Sequence, residues 1–356
     1  MMRICFVVNT LGLTGGIRVV FEHSNKLQER GHDVSIVHLL KLKDGLYGSL
    51  IGRLKQIKYL ILCILGWDEI KWFKLQKNIR VLHLYSLDKL KAVDAIIATA
   101  NETADWVAKL DRQKGEKFYF VQDYENWTRE EALVDATYKL PLKKIVVSSW
   151  LKTILKDKFN QSVCGVVING IDFDRFYCRD KKYNKNKKIL MQYHVLPKKG
   201  IKIGLEVLKQ IKEKFKEVEI ILFGVYPPQE KLPEGTKYYY KIRQDELIKL
   251  YHSADIFIST GLQEGFNLPP MEAMAAKCAV VVTRVGAVPD YTIENKTAIV
   301  IPPGEIRPLL SALEELITNN DKLRMIAEAG NEHVRYFTWE KASQELESLL
   351  LKNIIN

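Results

Sequence analysis

The sequence predicts an α/β protein of two domains, each built on a parallel sheet with crossover helices. Short apolar runs alternate with amphipathic stretches along most of the chain, the pattern of successive βαβ units. One polar, basic run, residues 172–188, interrupts the alternation, which then restarts. Length agrees: 356 residues exceed one ordinary domain and suit two of about 170 to 180. A hydrophobic content of 47% is ample for two cores.

In the first half, strands are expected at residues 4–8, 34–39, 95–98, 118–121, 145–147 and 166–168, where apolar residues run together. Helices are expected at 17–30, 102–110, 130–140 and 150–159, with Gly31 closing the first as a C-terminal glycine. In the second half, strands are expected at 189–192, 219–223, 255–258, 280–283 and 298–300, with helices between them. Residues 309–355 read as helical nearly throughout.

Met1-Met2-Arg3 runs straight into the first strand without cleavage-type small residues, so no signal peptide is expected. The five cysteines (Cys5, Cys63, Cys164, Cys178 and Cys278) form no close pair. That argues against zinc and redox motifs and for reduced thiols in the cytoplasm.

The formal net charge is +11, and residues 41–91 alone hold 11 Lys and Arg against 4 Asp and Glu. No aromatics are interleaved there as base-stacking platforms and no nucleic-acid motif appears, so nucleic acid is not the expected partner. An anionic membrane surface fits better. Within residues 46–74, Leu46, Tyr47, Leu50, Ile51 and Leu54 recur at helical spacing, interrupted by Arg53, Lys55 and Lys58. Residues 59–65 are apolar all round but number seven, far short of the roughly 20 that cross a bilayer. With Trp67, Lys71, Trp72 and Lys74 following, the segment reads either as a helix lying in a membrane interface or as one buried against the sheet with its lysines reaching outward. The first reading makes the protein cytoplasmic and peripheral at the membrane.

The stretch that carries chemistry is Glu264-Gly-Phe-Asn-Leu-Pro-Pro-Met-Glu272, followed by Ala-Met-Ala-Ala. It sets two carboxylates eight positions apart around a loop that turns into a helix. Pro269 and Pro270 suit a first helical turn, where a missing N–H costs nothing. The loop amides of Gly265, Phe266, Asn267 and Leu268, with those of the helix start, are expected to face an anion. Two carboxylates beside a phosphate site can hold the hydroxyls of a sugar nucleotide, although Glu272 alone would equally complement a helix dipole. Asn267 tolerates left-handed backbone angles. Gly15 and Gly16 lie between the first strand and first helix, where a backbone can approach a ligand closely.

This string closely resembles the signature of family-four glycosyltransferases, and the likeness extends to nearly the whole chain. The start, Arg3-Ile-Cys-Phe-Val-Val-Asn-Thr10 with Gly15-Gly16, is similar to the family's first strand and glycine loop. Lys199-Gly200 and Val285-Gly286-Ala287-Val288-Pro289-Asp290 fall where the family has matching segments. The resemblance implies a retaining enzyme of GT-B fold, with two Rossmann-like domains facing across a cleft. It divides the chain into an acceptor-binding domain (1–171), a linker (172–188), a domain for the nucleotide sugar (189–337) and a C-terminal helix crossing back to the first domain (338–356).

By the same resemblance, Glu272 holds the nucleotide ribose, Glu264 contacts the transferred sugar, and Lys199 with the loop amides meets the diphosphate. Gly15 and Gly16 would face the donor phosphates and the acceptor. Two positions depart from the family. Tyr193-His194 stands where Gly-Arg is usual, five residues before Lys199; His194 can donate to a phosphate but lacks arginine's fixed charge, which implies a weaker or pH-dependent clamp. Gln122 occupies a position that is histidine in many relatives and cannot act as a base, leaving Asp123 or Glu125 to orient the acceptor. The string Gln122-Asp123-Tyr124-Glu125 resembles a branch that includes rhamnosyltransferases of surface-polysaccharide assembly, which points to a deoxythymidine-diphosphate sugar donor.

The expected function is transfer of a sugar from a nucleotide sugar to a saccharide or lipid-linked acceptor. No cofactor or metal is expected, because no Asp-x-Asp falls at a donor position and Asp172-Phe-Asp174 lies in the linker. Three rivals remain: a catalytically degenerate binder of nucleotide sugar or scaffold of the same fold, a nicotinamide-dependent oxidoreductase and, last, a basic nucleic-acid binder. Against the second, Gly12-Leu-Thr-Gly15-Gly16 does not supply the Gly-x-Gly-x-x-Gly spacing.

Overall fold

A computed structural model gives the architecture and describes residues 1–39, 61, 70, 72–84 and 86–355. The chain divides into two compact units. The first comprises residues 1–147, 151–167 and 339–356; the second comprises 148–150 and 168–338.

In chain order the first unit's elements begin with β1 (Arg3–Val8), α1 (Gly15–Glu29), β2 (Asp33–Leu39), β3 (Arg80–Leu84), β4 (Ala95–Ala98), α2 (Asn101–Ala108) and β5 (Glu116–Val121). They continue with α3 (Glu131–Tyr138), β6 (Lys143–Val146), α4 (Ser149–Phe159) and β7 (Gly165–Val166). The seven strands form one sheet, ordered β3-β2-β1-β4-β5-β6-β7, with every pair parallel. β1, β2 and β4 are almost wholly buried, as strands covered on both faces must be, which is why they read as continuous apolar runs.

Helix α1 has clear boundary chemistry. The Thr14 hydroxyl caps its start by accepting from the Ile17 amide at 3.3 Å. At its end Gly31 takes φ +88°, with Gly31 N–H donating to Gln28 O and His32 N–H to Leu27 O, the paired bonds of a Schellman motif. Gly15 and Gly16 are the first two residues of this helix rather than a loop ahead of it.

The second unit continues with α5 (Phe173–Phe176), β8 (Lys188–Gln192), α6 (Ile201–Lys214), β9 (Glu219–Gly224), β10 (Lys237–Tyr240), α7 (Gln244–Ser253) and β11 (Ile256–Ser259). Then come α8 (Pro269–Ala275), β12 (Ala279–Thr283), α9 (Val288–Tyr291), β13 (Ile299–Ile301), α10 (Ile306–Thr318) and α11 (Asn320–Val334). Its six parallel strands are ordered β10-β9-β8-β11-β12-β13. Residues 172–188 are packed into this unit: Phe176 is buried, and Lys181 Nζ donates to the carbonyls of Tyr251, His252 and Ala254 at the end of α7.

The last helix, α12 (Trp339–Ile355), belongs to the first unit. His23 on α1 bonds Ser343 through Nδ1 at 2.9 Å, and Glu347 accepts from both Arg30 and His32. A Cβ on Gly165 would come within 2.6 Å of Leu349.

Two strands, β3 and β10, were not among the expected elements. Both are edge strands with no buried position, half-buried to exposed along their length, so they lack the apolar signature of central strands. Most of residues 46–74 lies outside the described residues. Of the rest, Trp72 stacks on Phe21 of α1 with centroids 5.4 Å apart and donates Nε1–H to Leu11 O at 2.9 Å. Among the described residues no helix is long and apolar enough to cross a membrane.

Candidate functional site

In each sheet the strand order reverses once, between β1 and β4 in the first and between β8 and β11 in the second. Loops leaving the carboxyl ends of strands at such a reversal diverge and open a crevice where open α/β sheets bind ligands. His194 and Lys199 follow β8, and Glu264 through Leu268 follow β11, so the second reversal gathers most of the expected donor residues.

Their side chains converge. Lys199 Nζ lies 2.8 Å from each oxygen of Glu264, a two-pronged ion pair with Glu264 93% buried. With Gln192, His194, Ser259, Thr260 and Asn267 they line a cavity of about 20 Å³, room for about one water.

Three glycines permit this geometry. Gly200, directly after Lys199, takes φ +63°, and a Cβ there would meet Thr260 O at 1.9 Å. Gly286 takes φ +54° and lets the loop after β12 lie against the backbone of Glu264, where a Cβ would come within 2.3 Å of the carbonyl oxygen. Gly261 faces the Glu264 side chain, with a hypothetical Cβ 3.0 Å from its Cγ. Lys199 and Glu264 are thus positioned by backbone contact rather than by their own long side chains.

Asn267 adopts φ +75°, the left-handed geometry its residue type tolerates. Its Nδ2 donates to Ser259 Oγ at 3.0 Å and its carbonyl accepts from Tyr291 OH at 3.0 Å, which fixes the loop. Phe266 packs its ring 5.6 Å from Tyr291. Glu272 is buried in the first turn of α8, where its Oε2 accepts from the Tyr251 hydroxyl at 2.9 Å.

The helix start does not contribute amides in the way expected. Pro269 and Pro270 carry no N–H, and the amides of Met271 and Glu272 already donate to Leu268 O. The loop is different: the amides of Gly265, Phe266 and Asn267 donate to no acceptor among the described residues. Any anion grip by backbone here comes from the loop, not from the helix.

His194 is half-buried. Burial, with Lys199 and Lys198 close by, lowers it to about 4, so the ring is neutral at physiological pH. Its Nδ1 accepts from the Leu196 amide at 3.0 Å, which leaves the single proton of the neutral ring on Nε2. Tyr226, in the loop after β9, stands edge-on to it at 5.0 Å.

The first unit's reversal is differently furnished. Gly16 abuts Gln122, where a Cβ would lie 3.4 Å from Nε2. Gln122 Nε2 donates to Thr99 O at 3.2 Å, while its Oε1 is buried with no hydrogen-bond partner. Asp123 accepts from the Tyr124 amide at 2.8 Å. Tyr124 is buried, and its hydroxyl meets Glu131, Asp135 and Lys158. Glu125 turns its carboxylate inward onto the start of α2, accepting from the Asn101 amide at 2.6 Å and from Asn101 Nδ2 at 2.9 Å. Burial raises Glu125 to about 7 despite those bonds.

Sequence reasoning missed Gln192, Ser259, Thr260, Tyr226 and Tyr251. A usable signal existed for three of them: Gln192 and Ser259-Thr260 are the polar residues that end the apolar runs of β8 and β11. Tyr226 and Tyr251 reach the site from elements distant in sequence and carried none.

Residues 174–333 match the family model described as glycosyl transferases group 1. The sulfoquinovosyl transferase SQD2 of Arabidopsis thaliana is 28% identical over 160 residues, 41% of this chain and 30% of its own length. The MMP alpha-(1->4)-mannosyltransferase of Mycolicibacterium hassiacum is 26% identical over 200 residues, 53% of this chain and 48% of its own. The matched stretches therefore span less than half the length of these curated relatives. Among solved structures, HepE of Anabaena in complex with UDP-glucose superposes with a TM-score of 0.74 at 15% identity, over 99% of this chain and 100% of that one. Sucrose-phosphate synthase from Thermosynechococcus elongatus gives 0.75 at 15% identity, over the whole of both chains. The fold is GT-B, two Rossmann-like units each on a parallel sheet.

Proposed function

We propose that the chain is a retaining glycosyltransferase that moves a sugar from a nucleoside-diphosphate sugar to a saccharide or lipid-linked acceptor. The observation that carries the reading is the Lys199–Glu264 pair, held by Gly200 and Gly286 at the strand reversal of the group 1 domain. A buried carboxylate paired with a lysine at a polar crevice suits group transfer. A transferase uses both, because departure of the diphosphate builds negative charge and the sugar develops positive charge.

When a donor enters, Lys199 exchanges Glu264 for a phosphoryl oxygen and Glu264 turns to the sugar. The loop amides of Gly265, Phe266 and Asn267 complete the diphosphate site, and Glu272, braced by Tyr251, holds the ribose. Positive charge comes from these groups, so the reaction proceeds without a bound metal. Gly16 and the segment Gln122–Asp123–Tyr124–Glu125 serve the acceptor. Gln122 Oε1, buried without a donor of its own, supplies a ready acceptor for a hydroxyl. Resemblance of that segment to rhamnosyltransferases favours a deoxythymidine-diphosphate sugar as donor, and the basic residues of 46–74 favour a lipid-linked acceptor at the cytoplasmic membrane face.

A thermal-shift screen against UDP, dTDP and GDP and their sugars tests the reading, repeated on Glu272→Ala. A ligand at a hundredfold over its dissociation constant adds about 2.7 kcal/mol of stability. The expected result is a raised midpoint for one base, lost in the variant. No shift with any of them would favour a degenerate scaffold of the same fold.

A further inference from the structure

The donor crevice holds a residue whose hydrogen bonding fixes its charge state. His194 lines the cavity beside Lys199 and Glu264. Its Nδ1 receives the Leu196 N–H at 3.0 Å, and its Nε2 bonds to none of the described residues. A second proton would have to enter at Nδ1, where it would face the amide hydrogen head-on. The ring can therefore donate through Nε2 but cannot become imidazolium without breaking the Leu196 contact.

The surroundings enforce the same state. Lys198 and Lys199 follow in the same turn, and Glu264 faces the cavity from the loop after β11 but is engaged by Lys199. From the loop after β9, Tyr226 offers an uncharged ring edge-on at 5.0 Å. That loop is anchored: Tyr238 OH donates to Tyr226 O, while Tyr193 OH donates to Glu230 and accepts from Gln229 N–H at 2.8 Å. Glu230, the other acid of this loop, is thereby tied to Tyr193. The histidine is held on one side by its own backbone and on the other by a strapped loop.

We propose that His194 is a pre-oriented, permanently neutral hydrogen-bond donor to the diphosphate of the nucleotide sugar, Nε2–H to a phosphoryl oxygen, with Leu196 N–H barring the second proton. This rests on the reading of the crevice as a donor site. It replaces the expectation of a pH-dependent clamp: the grip on a diphosphate is constant across neutral pH, and the site's positive charge comes from Lys199. A neutral donor also weakens the hold on the departing diphosphate relative to a fixed cation, favouring its release after transfer.

Calorimetric titration with UDP-glucose, dTDP-glucose and GDP-mannose, from pH 5.5 to 8.5, tests the inference. Their diphosphates are diesters that do not titrate in this range, so any pH dependence belongs to the protein. Parallel runs in two buffers of different protonation heat count protons taken up. For whichever probe binds, affinity is expected to vary less than about threefold across the range, with no proton uptake. His194→Phe should weaken binding about tenfold and His194→Gln, which keeps an N–H near the Nε2 position, should restore most of it. Affinity rising toward tenfold per pH unit on acidification, with close to one proton taken up, would overturn the proposal without needing a variant. So would a His194→Phe protein that binds like the wild type. Binding of none of the three probes by the wild type would overturn the donor-site reading itself, and this inference with it.

Discussion

At the second unit's strand reversal, Lys199 and Glu264 meet as charges in loops that touch through Gly200, Gly261 and Gly286. At the first unit's reversal, Gln122 keeps an orphaned amide oxygen, Asn101 keeps another, and Glu125 spends its carboxylate on the start of α2. The same topology thus produces two kinds of crevice. One pairs an acid with a base and fixes both by backbone contact; the other sets the amide of Gln122 beside two acids, Asp123 and Glu125, that accept from backbone amides. Under the proposed function, charge separation during group transfer draws on the first crevice and the acceptor meets the second.

The steepest test of that contrast is steric. Gly200→Ala would drive a methyl into Thr260 O in a left-handed backbone, and should cost about 3 kcal/mol or more or prevent folding of the second unit. Gly15→Ala, at a position with open space around it, should change stability by less than about 1 kcal/mol. Thermal unfolding of the two variants side by side decides it; equal costs would erase the claim that only one crevice is backbone-locked.

Next in size is the separation of charge roles. Glu264→Gln should reduce transfer by ~10²–10³-fold. The same change frees Lys199 for phosphate and should tighten nucleoside-diphosphate binding by roughly fivefold. A parallel loss of both activity and binding would mean that Glu264 acts only as a structural partner.

The first unit's acid gives a pH signature. Glu125 sits at about 7 in the folded protein against an ordinary value near 4.5. The folded state therefore holds this proton more tightly, and the stability it confers is full below about pH 4.5 and is lost as pH rises through 7. The wild-type midpoint minus that of Glu125→Gln should fall by ~3 °C between pH 5 and 8. Taking the difference cancels the buried His23, lowered to about 3 by burial, whose contribution runs the other way. A difference that stays flat would show that Glu125 is ionised throughout.

The smallest expected effect is at Glu272. Tyr251→Phe removes one hydrogen bond to a carboxylate and should weaken nucleotide binding about fivefold, with little change in the stability of the first unit. No effect on binding would detach Glu272 from the ribose.

Much of this was legible in the sequence, and the limits have physical causes. The central strands announce themselves because both faces are buried; β3 and β10, at sheet edges, do not. The Glu264–Glu272 string displayed its two carboxylates, and Asn267 its left-handed turn, because those properties are local. The prolines were read correctly as helix-starting residues, yet they also remove the amides that an anion at the helix end would need. Contacts between distant segments left no trace: Gly16 against Gln122, Tyr251 on Glu272, and Tyr226 over His194. The neutrality of His194 depends on the Leu196 amide, whose direction is a matter of backbone geometry rather than residue type.

The most direct test of the donor assignment is release of nucleoside diphosphate from UDP-, dTDP- and GDP-sugars, followed by mass spectrometry with wild type and Glu264→Gln in parallel. The account predicts release from one donor class by the wild type, through transfer or slow hydrolysis, and its near-complete loss in the variant. Equal release by both proteins, or binding of a sugar nucleotide with no turnover by the wild type, would contradict it.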